Sequence, residues 1–140
     1  MSLNRATILF VLASAVGIAG YFHFGQSDDT VGSGPPIVAI SVPEALSARA
    51  LAGQKTWDAN CASCHGRHAV GQDGIAPPLV HIIYEPGHHG DESFQRAVAL
   101  GVRAHHWPFG DMPPVEGLSR RDVAEIIVYV RELQRANGIR

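Results

Sequence analysis

Cys61-Ala62-Ser63-Cys64-His65 places two thiols three residues apart, with an imidazole directly after the second. Residues i and i+3 of a helical turn share a face, so both sulfurs emerge on one side and can form thioethers with the two vinyl groups of a haem. His65 is then held under the ring and presents a nitrogen to the iron as proximal ligand. This is the attachment signature of a c-type haem.

Two other chemistries use a C-x-x-C pair. A thioredoxin-type redox centre sits near a βαβ pattern, and this chain shows no convincing strand. A zinc site takes four ligands, often with a second Cys or His pair. The chain has 2 cysteines, and its remaining histidines lack finger spacing.

On either side of the motif the chain reads as helix. Ser41-Val42-Pro43-Glu44 has the form of a capping box with Pro in the first turn, predicting a helix from there to about Ala59. Leu46, Ala50, Gly53 and Trp57 recur along it at helical spacing and form its buried stripe. Downstream, Asp91 caps a predicted helix from Glu92 to Leu100, stopped by Gly101, with Phe94, Ala97 and Val98 inward. A second capping box, Ser119-Arg120-Arg121-Asp122, opens the last helix. Its apolar face is Val123, Ile126, Ile127, Val130 and Leu133, and it ends near Asn137-Gly138. Segments rich in Gly, Pro and His lie between these helices and suit the wrapping of a flat cofactor.

This order of parts resembles a small class I cytochrome c domain over roughly residues 44–137. The resemblance rests on a helix running into Cys61 to Gly66 and a loop bearing Gly71, Gly74 and Pro77-Pro78-Leu79. A short helix ending at Gly101, the segment Met112-Pro113-Pro114 and a carboxyl-terminal helix complete it. It implies an all-α fold of three to four helices in which the first and last cross closely. Gly53 is the natural small residue of that crossing, with Trp57 and Tyr129 as its aromatics. For function it implies outer-sphere electron transfer through one covalently bound haem c, not enzymatic catalysis.

Met112 is the only methionine beyond Met1. Its position after the haem motif and before a capped helix makes it the candidate sixth ligand. A thioether is soft and neutral, so His/Met ligation favours Fe(II) and raises the reduction potential. The cofactor-binding set is therefore Cys61, Cys64, His65 and Met112, with His65 and Met112 on the metal. The contrasting reading is a haem enzyme or gas sensor in which Met112 binds weakly or not at all, leaving a distal site lined by His105, His106 and Trp107. No substrate pocket or acid–base pair is evident, since Glu85, Asp91, Asp111 and Glu116 read as turn, cap or surface residues.

His68, His81, His88, His89, His105 and His106 are many for so short a domain. They are open to hydrogen bonding with haem propionates, to solvation, or, at the pairs His88-His89 and His105-His106, to a second metal such as copper. Trp107 and Tyr84 are further candidates to donate to propionates through N–H and O–H.

At 140 residues the chain holds one domain at most. Residues 6–24 are apolar, without a formal charge, and follow Arg5. At 1.5 Å per residue they span about 28 Å, just short of a hydrocarbon core of roughly 30 Å. Residues 1–24 thus read as a membrane anchor, with a cleaved signal segment as the alternative because Ala13-Ser14-Ala15 and Gly17-Ile18-Ala19 offer small residues. With Arg5 on the cytoplasmic side, the haem domain faces across the membrane. In a bacterium this is a single-pass protein of the cytoplasmic membrane, open to the periplasm. Residues 25–42, with Gly32-Ser33-Gly34 and Pro35-Pro36, read as a flexible linker to a domain at 43–140.

The balance of 11 Lys+Arg against 13 Asp+Glu excludes the basic stripe that nucleic acid requires. Lys55 is the only lysine, so a lysine-ringed docking face is absent as well. The expected partners are redox proteins, a membrane or periplasmic donor and acceptor, together with the membrane itself.

Overall fold

In a computed structural model, residues 34–140 are described. The anchor segment and the first half of the expected linker lie outside them. Four helices follow in order: α1 (Ala48–Asn60), α2 (Ala62–His65), α3 (Asp91–Leu100) and α4 (Arg120–Ala136). Two 3-10 turns, Arg67–Ala69 and Ile82–Tyr84, fall in the long connection between α2 and α3. The described residues contain no strand, only the isolated bridges Gln72 to Ala76 and Val102 to Met112. The expected all-α architecture is thus observed for this region. Among the described residues no helix is long and apolar enough to cross a membrane.

The core is the crossing of α1 and α4. Gly53 lies where a Cβ would fall on the Glu125 carbonyl of the other helix, so only glycine lets the two backbones come this close. One turn on, Trp57 meets Tyr129 with ring centroids 6.3 Å apart at 58°. Both side chains are almost fully buried, and such a tilted pair adds about 0.5–1.5 kcal/mol beyond its burial. Ala50, Phe94, Val123, Ile126, Ile127, Val130 and Leu133 join the cluster, as their periodicity predicts, and Ala62, Ala69 and Val80 complete it.

Two helix starts differ from the sequence reading. The cap of α1 is Ser47, whose Oγ accepts from Ala50 N–H at 3.1 Å, and not Ser41. The carboxylate of Glu132 on α4 selects this start by accepting from the Ser47 hydroxyl at 2.6 Å and its N–H at 3.0 Å. Ser41 is held elsewhere, its N–H and C=O both paired with the Asn137 amide at 2.8 Å. At α3 the cap is Gly90, and Asp91 sits inside the first turn. Its carboxylate is drawn to the Arg131 guanidinium, Oδ1 to Nε 3.0 Å. The Arg131 side chain is only 8% exposed, and a buried cation requires partners. The α4 capping box forms as read, with Ser119 and Asp122 bonded reciprocally.

The end of the stretch read as linker is part of the domain. Ile37 and Val38 both donate to Val70 O at 3.2 Å, and Pro35 O accepts from Asp73 N–H at 2.9 Å. Ile40 and Leu46 pack on the core. The loop around residues 70–73 has backbone groups that need partners, and this short strap supplies them.

Candidate haem site

α1 ends at Cys61, whose N–H donates to Trp57 O at 2.8 Å. The chain bends there and re-enters a single turn, α2, closed by His65 N–H to Cys61 O and Gly66 N–H to Ala62 O, both 2.9 Å. Cys61 is half-buried, Cys64 exposed, and both thiols are free. Burial, with the neighbouring Cys64 second, pushes the Cys61 thiol up to about 11, so it is protonated at neutral pH. The turn is braced from two directions. Trp57 Nε1 donates to Gly66 O at 3.1 Å. Gln72, buried, donates through Nε2 to Ser63 O at 2.9 Å, a carbonyl near the end of so short a helix, and adds a second bond to Ala62 O at 3.2 Å.

His65 is oriented by the loop after it. Its Nδ1 lies 2.9 Å from Pro77 O, and because a carbonyl only accepts, Nδ1 carries the proton. Nε2 is left as a lone-pair donor, in the arrangement that orients a metal-bound histidine. Burial lowers the His65 pKa, opposed by the Pro77 hydrogen bond, and so favours the neutral ligating form.

Met112 lies at the mouth of a loop that closes on itself. Val102 N–H donates to Met112 O and Met112 N–H to Val102 O, each at 2.9 Å. Gly101, at φ 73°, packs so tightly that a Cβ would sit 2.5 Å from Met112 O. The end of α3 therefore fixes the Met112 backbone, and its half-buried side chain leaves from a pinned position. Within the same loop, Ala104 N–H donates to Asp111 Oδ1 at 2.8 Å. Trp107 stacks on Phe109 with centroids 5.8 Å apart.

The residues fit a haem. Free thiols sit one turn apart, an imidazole is set in the ligating tautomer, and one donor lacks an acceptor. Trp107 Nε1 is the one buried side-chain nitrogen or oxygen among the described residues without a hydrogen-bond partner. Burial raises the Tyr84 phenol and the nearby Trp107 N–H opposes this, but that approach falls short of a hydrogen bond. An orphan N–H of this kind costs about 1–3 kcal/mol unless something outside the chain accepts from it. A haem propionate matches that need.

The cytochrome c family model matches residues 50–134. The chain belongs to the cytochrome c family. A search of curated proteins returned no match. As a class I c-type cytochrome domain the protein binds covalent haem c, with one C-x-x-C-H motif for one haem. Its activity is haem-based electron transfer.

Several supports of this cytochrome c domain were invisible in the sequence. His68 Nδ1 and the Tyr129 hydroxyl are 2.9 Å apart across 61 positions, holding His68 in the left-handed region at φ 58°. Arg131 donates to Tyr84 O at 2.7 Å, His89 O at 2.6 Å and Gln134 Oε1 at 2.7 Å. Both it and Gln134 stand on α4 next to its apolar face. Polar residues at core register in an otherwise amphipathic helix were the only available signal.

Proposed function

We propose that this cytochrome c domain carries its haem on Cys61 and Cys64, ligates the iron through His65 Nε2 and Met112 Sγ, and works as an electron carrier tethered to a membrane. The observation that carries the ligand assignment is the His65 Nδ1 to Pro77 O contact at 2.9 Å. It favours the tautomer that leaves Nε2 open to a metal. The paired hydrogen bonds between Val102 and Met112 support Met112 as the second ligand, because a pinned backbone lowers the entropic cost of holding a flexible thioether. Bound haem supplies the one-electron couple of its iron. The chain's own residues attach it, set its axial field and offer Trp107 as a donor to its acidic edge.

The tether rests on Arg5 and the uncharged residues 6–24. In this reading the protein is anchored once in a bacterial cytoplasmic membrane, faces the periplasm, and exchanges electrons with a membrane or periplasmic donor and acceptor. An optical titration tests the ligands. The oxidised protein should show the far-red thioether–iron band, and the reduced protein should bind carbon monoxide poorly. Avid carbon monoxide binding without that band would replace this assignment with an open-site haem protein. Recovery of the native protein in the soluble fraction, with its first residues removed, would refute the tether.

A further inference from the structure

We propose that His88, His89 and His106 form a second metal site, which takes a divalent transition ion of the copper or zinc class. The ligating nitrogens of these three side chains all lie within 4.8 Å of one another. Two nitrogens bound to one zinc at 2.0–2.1 Å in tetrahedral geometry are about 3.3 Å apart. Closure therefore needs a contraction of about 1.5 Å at most, which the exposed rings of His88 and His106 can make by rotating about their own side-chain bonds.

The site has a rigid half and an adjustable half. His88 and His89 stand on a turn whose amides both return to Glu85 O, at 3.1 and 2.8 Å. Buried Arg131 grips the same turn through Tyr84 O and His89 O. His89 is oriented further, with Nδ1 2.6 Å from Ile83 O. That carbonyl fixes the proton on Nδ1 and leaves Nε2 for a metal, the orienting contact that ligating histidines characteristically make. His106 comes from the loop between α3 and α4, its ring centroid 5.4 Å from His88 and 5.2 Å from His89. The His105 ring centroid stands 4.2 Å from that of His106 and 6.2 Å from that of His89, which makes it a further imidazole for a fourth position.

An all-imidazole set suits copper and zinc and excludes calcium or magnesium, which take oxygen ligands. Among the described residues no disulfide or salt bridge joins these two segments, so the ion would clip the 85–89 turn to the loop that carries Trp107 and Met112.

The test uses the full-length haem-loaded protein, stripped of adventitious metal and titrated at neutral pH with Cu2+, and in parallel with Zn2+ against a chromophoric chelator. One equivalent of ion should bind, and the copper form should show nitrogen hyperfine structure by electron paramagnetic resonance. H88Q/H106Q removes two of the three ligands and should weaken binding by more than about 100-fold, since loss of a residue that only orients a ligand already costs about 10–100-fold, while the haem absorption spectrum stays as in the wild type. H81Q should bind like the wild type. Binding that is unaltered in the double variant, or absent for both ions in the wild type, would overturn the site. The haem spectrum reports separately on the ligands proposed for the iron.

Discussion

Pro77 acts on His65 through a backbone carbonyl, so no side-chain replacement removes that contact, and the tests at the residue scale fall on its neighbours. Met112→Ala should abolish the thioether band and lower the reduction potential by tenths of a volt, within the roughly 0.8 V that axial ligands command. No other methionine lies beyond Met1 to take its place. An unchanged potential in a redox titration would move the sixth ligand to a histidine. Tyr129→Phe removes the hydroxyl that meets His68 Nδ1. Burial, the largest influence, raises the Tyr129 phenol and lowers the His68 imidazole, so the hydroxyl donates and the neutral ring accepts. The substitution should cost about 1 kcal/mol in a denaturant melt, and the left-handed His68 should lose hydrogen-exchange protection with it. An unaltered melt would make that bond incidental. Cys61, Cys64 and His65 were readable because their chemistry depends on spacing within five residues. Pro77 O and Gln72 serve the same turn from 9 or more positions away, and Tyr129 reaches His68 in the turn after it, relations that no local pattern records.

At the scale of elements, the crossing of α1 and α4 sets two effects against each other. Gly53→Ala improves helix propensity by about 1 kcal/mol, yet its methyl would overlap the Glu125 backbone, which cannot turn aside as a side chain can. Overpacking of this kind costs about 1–3 kcal/mol, so the variant should be destabilised in spite of propensity. A gain in melting temperature would refute the close approach. The α4 cap adds a pH signature. Hydrogen bonds from Ser119 side chain and backbone hold the Asp122 carboxyl below its ordinary 3.8. A carboxyl lowered on folding stabilises above its unfolded value and loses that contribution as pH falls through the folded one. Ser119→Ala should therefore be less stable than the wild type at neutral pH, by a margin that narrows below about pH 3.8. Denaturant melts across that range check it, and a constant margin would detach the cap from Asp122. The α4 cap was legible because both partners lie within one turn. The α1 cap was not, because Glu132 chose Ser47 over Ser41 from 85 positions away.

For the whole molecule, the strap before α1 divides what can be removed from what cannot. A chain begun at Val31 keeps the contacts of Pro35, Ile37, Val38 and Ile40, and should match the full-length protein in spectrum and stability. One begun at Pro43 loses them and should be weaker by about 1.5–3 kcal/mol, the order of one buried aliphatic side chain, shared here among the half-buried Ile37, Val38 and Ile40. Equal melts for the two would reduce the strap to a passive tail. With residues 1–24 as the proposed anchor, the chain begun at Val31 should also support less electron flow in cells than the full-length protein, since release from the membrane removes the high local concentration of membrane partners.

The amino-acid sequence alone determined the haem chemistry, the helical class and the buried stripes, because C-x-x-C-H spacing, capping residues and 3.6-residue periodicity are local consequences of chain geometry. Tertiary structure decided which serine starts α1, that Asp91 answers Arg131 and does not cap a helix, and that residues 34–41 belong to the domain. It also decided that His88, His89 and His106 converge. Each of these turns on a buried or backbone polar group finding its partner from a distant segment, and only the folded chain brings such partners within hydrogen-bond range.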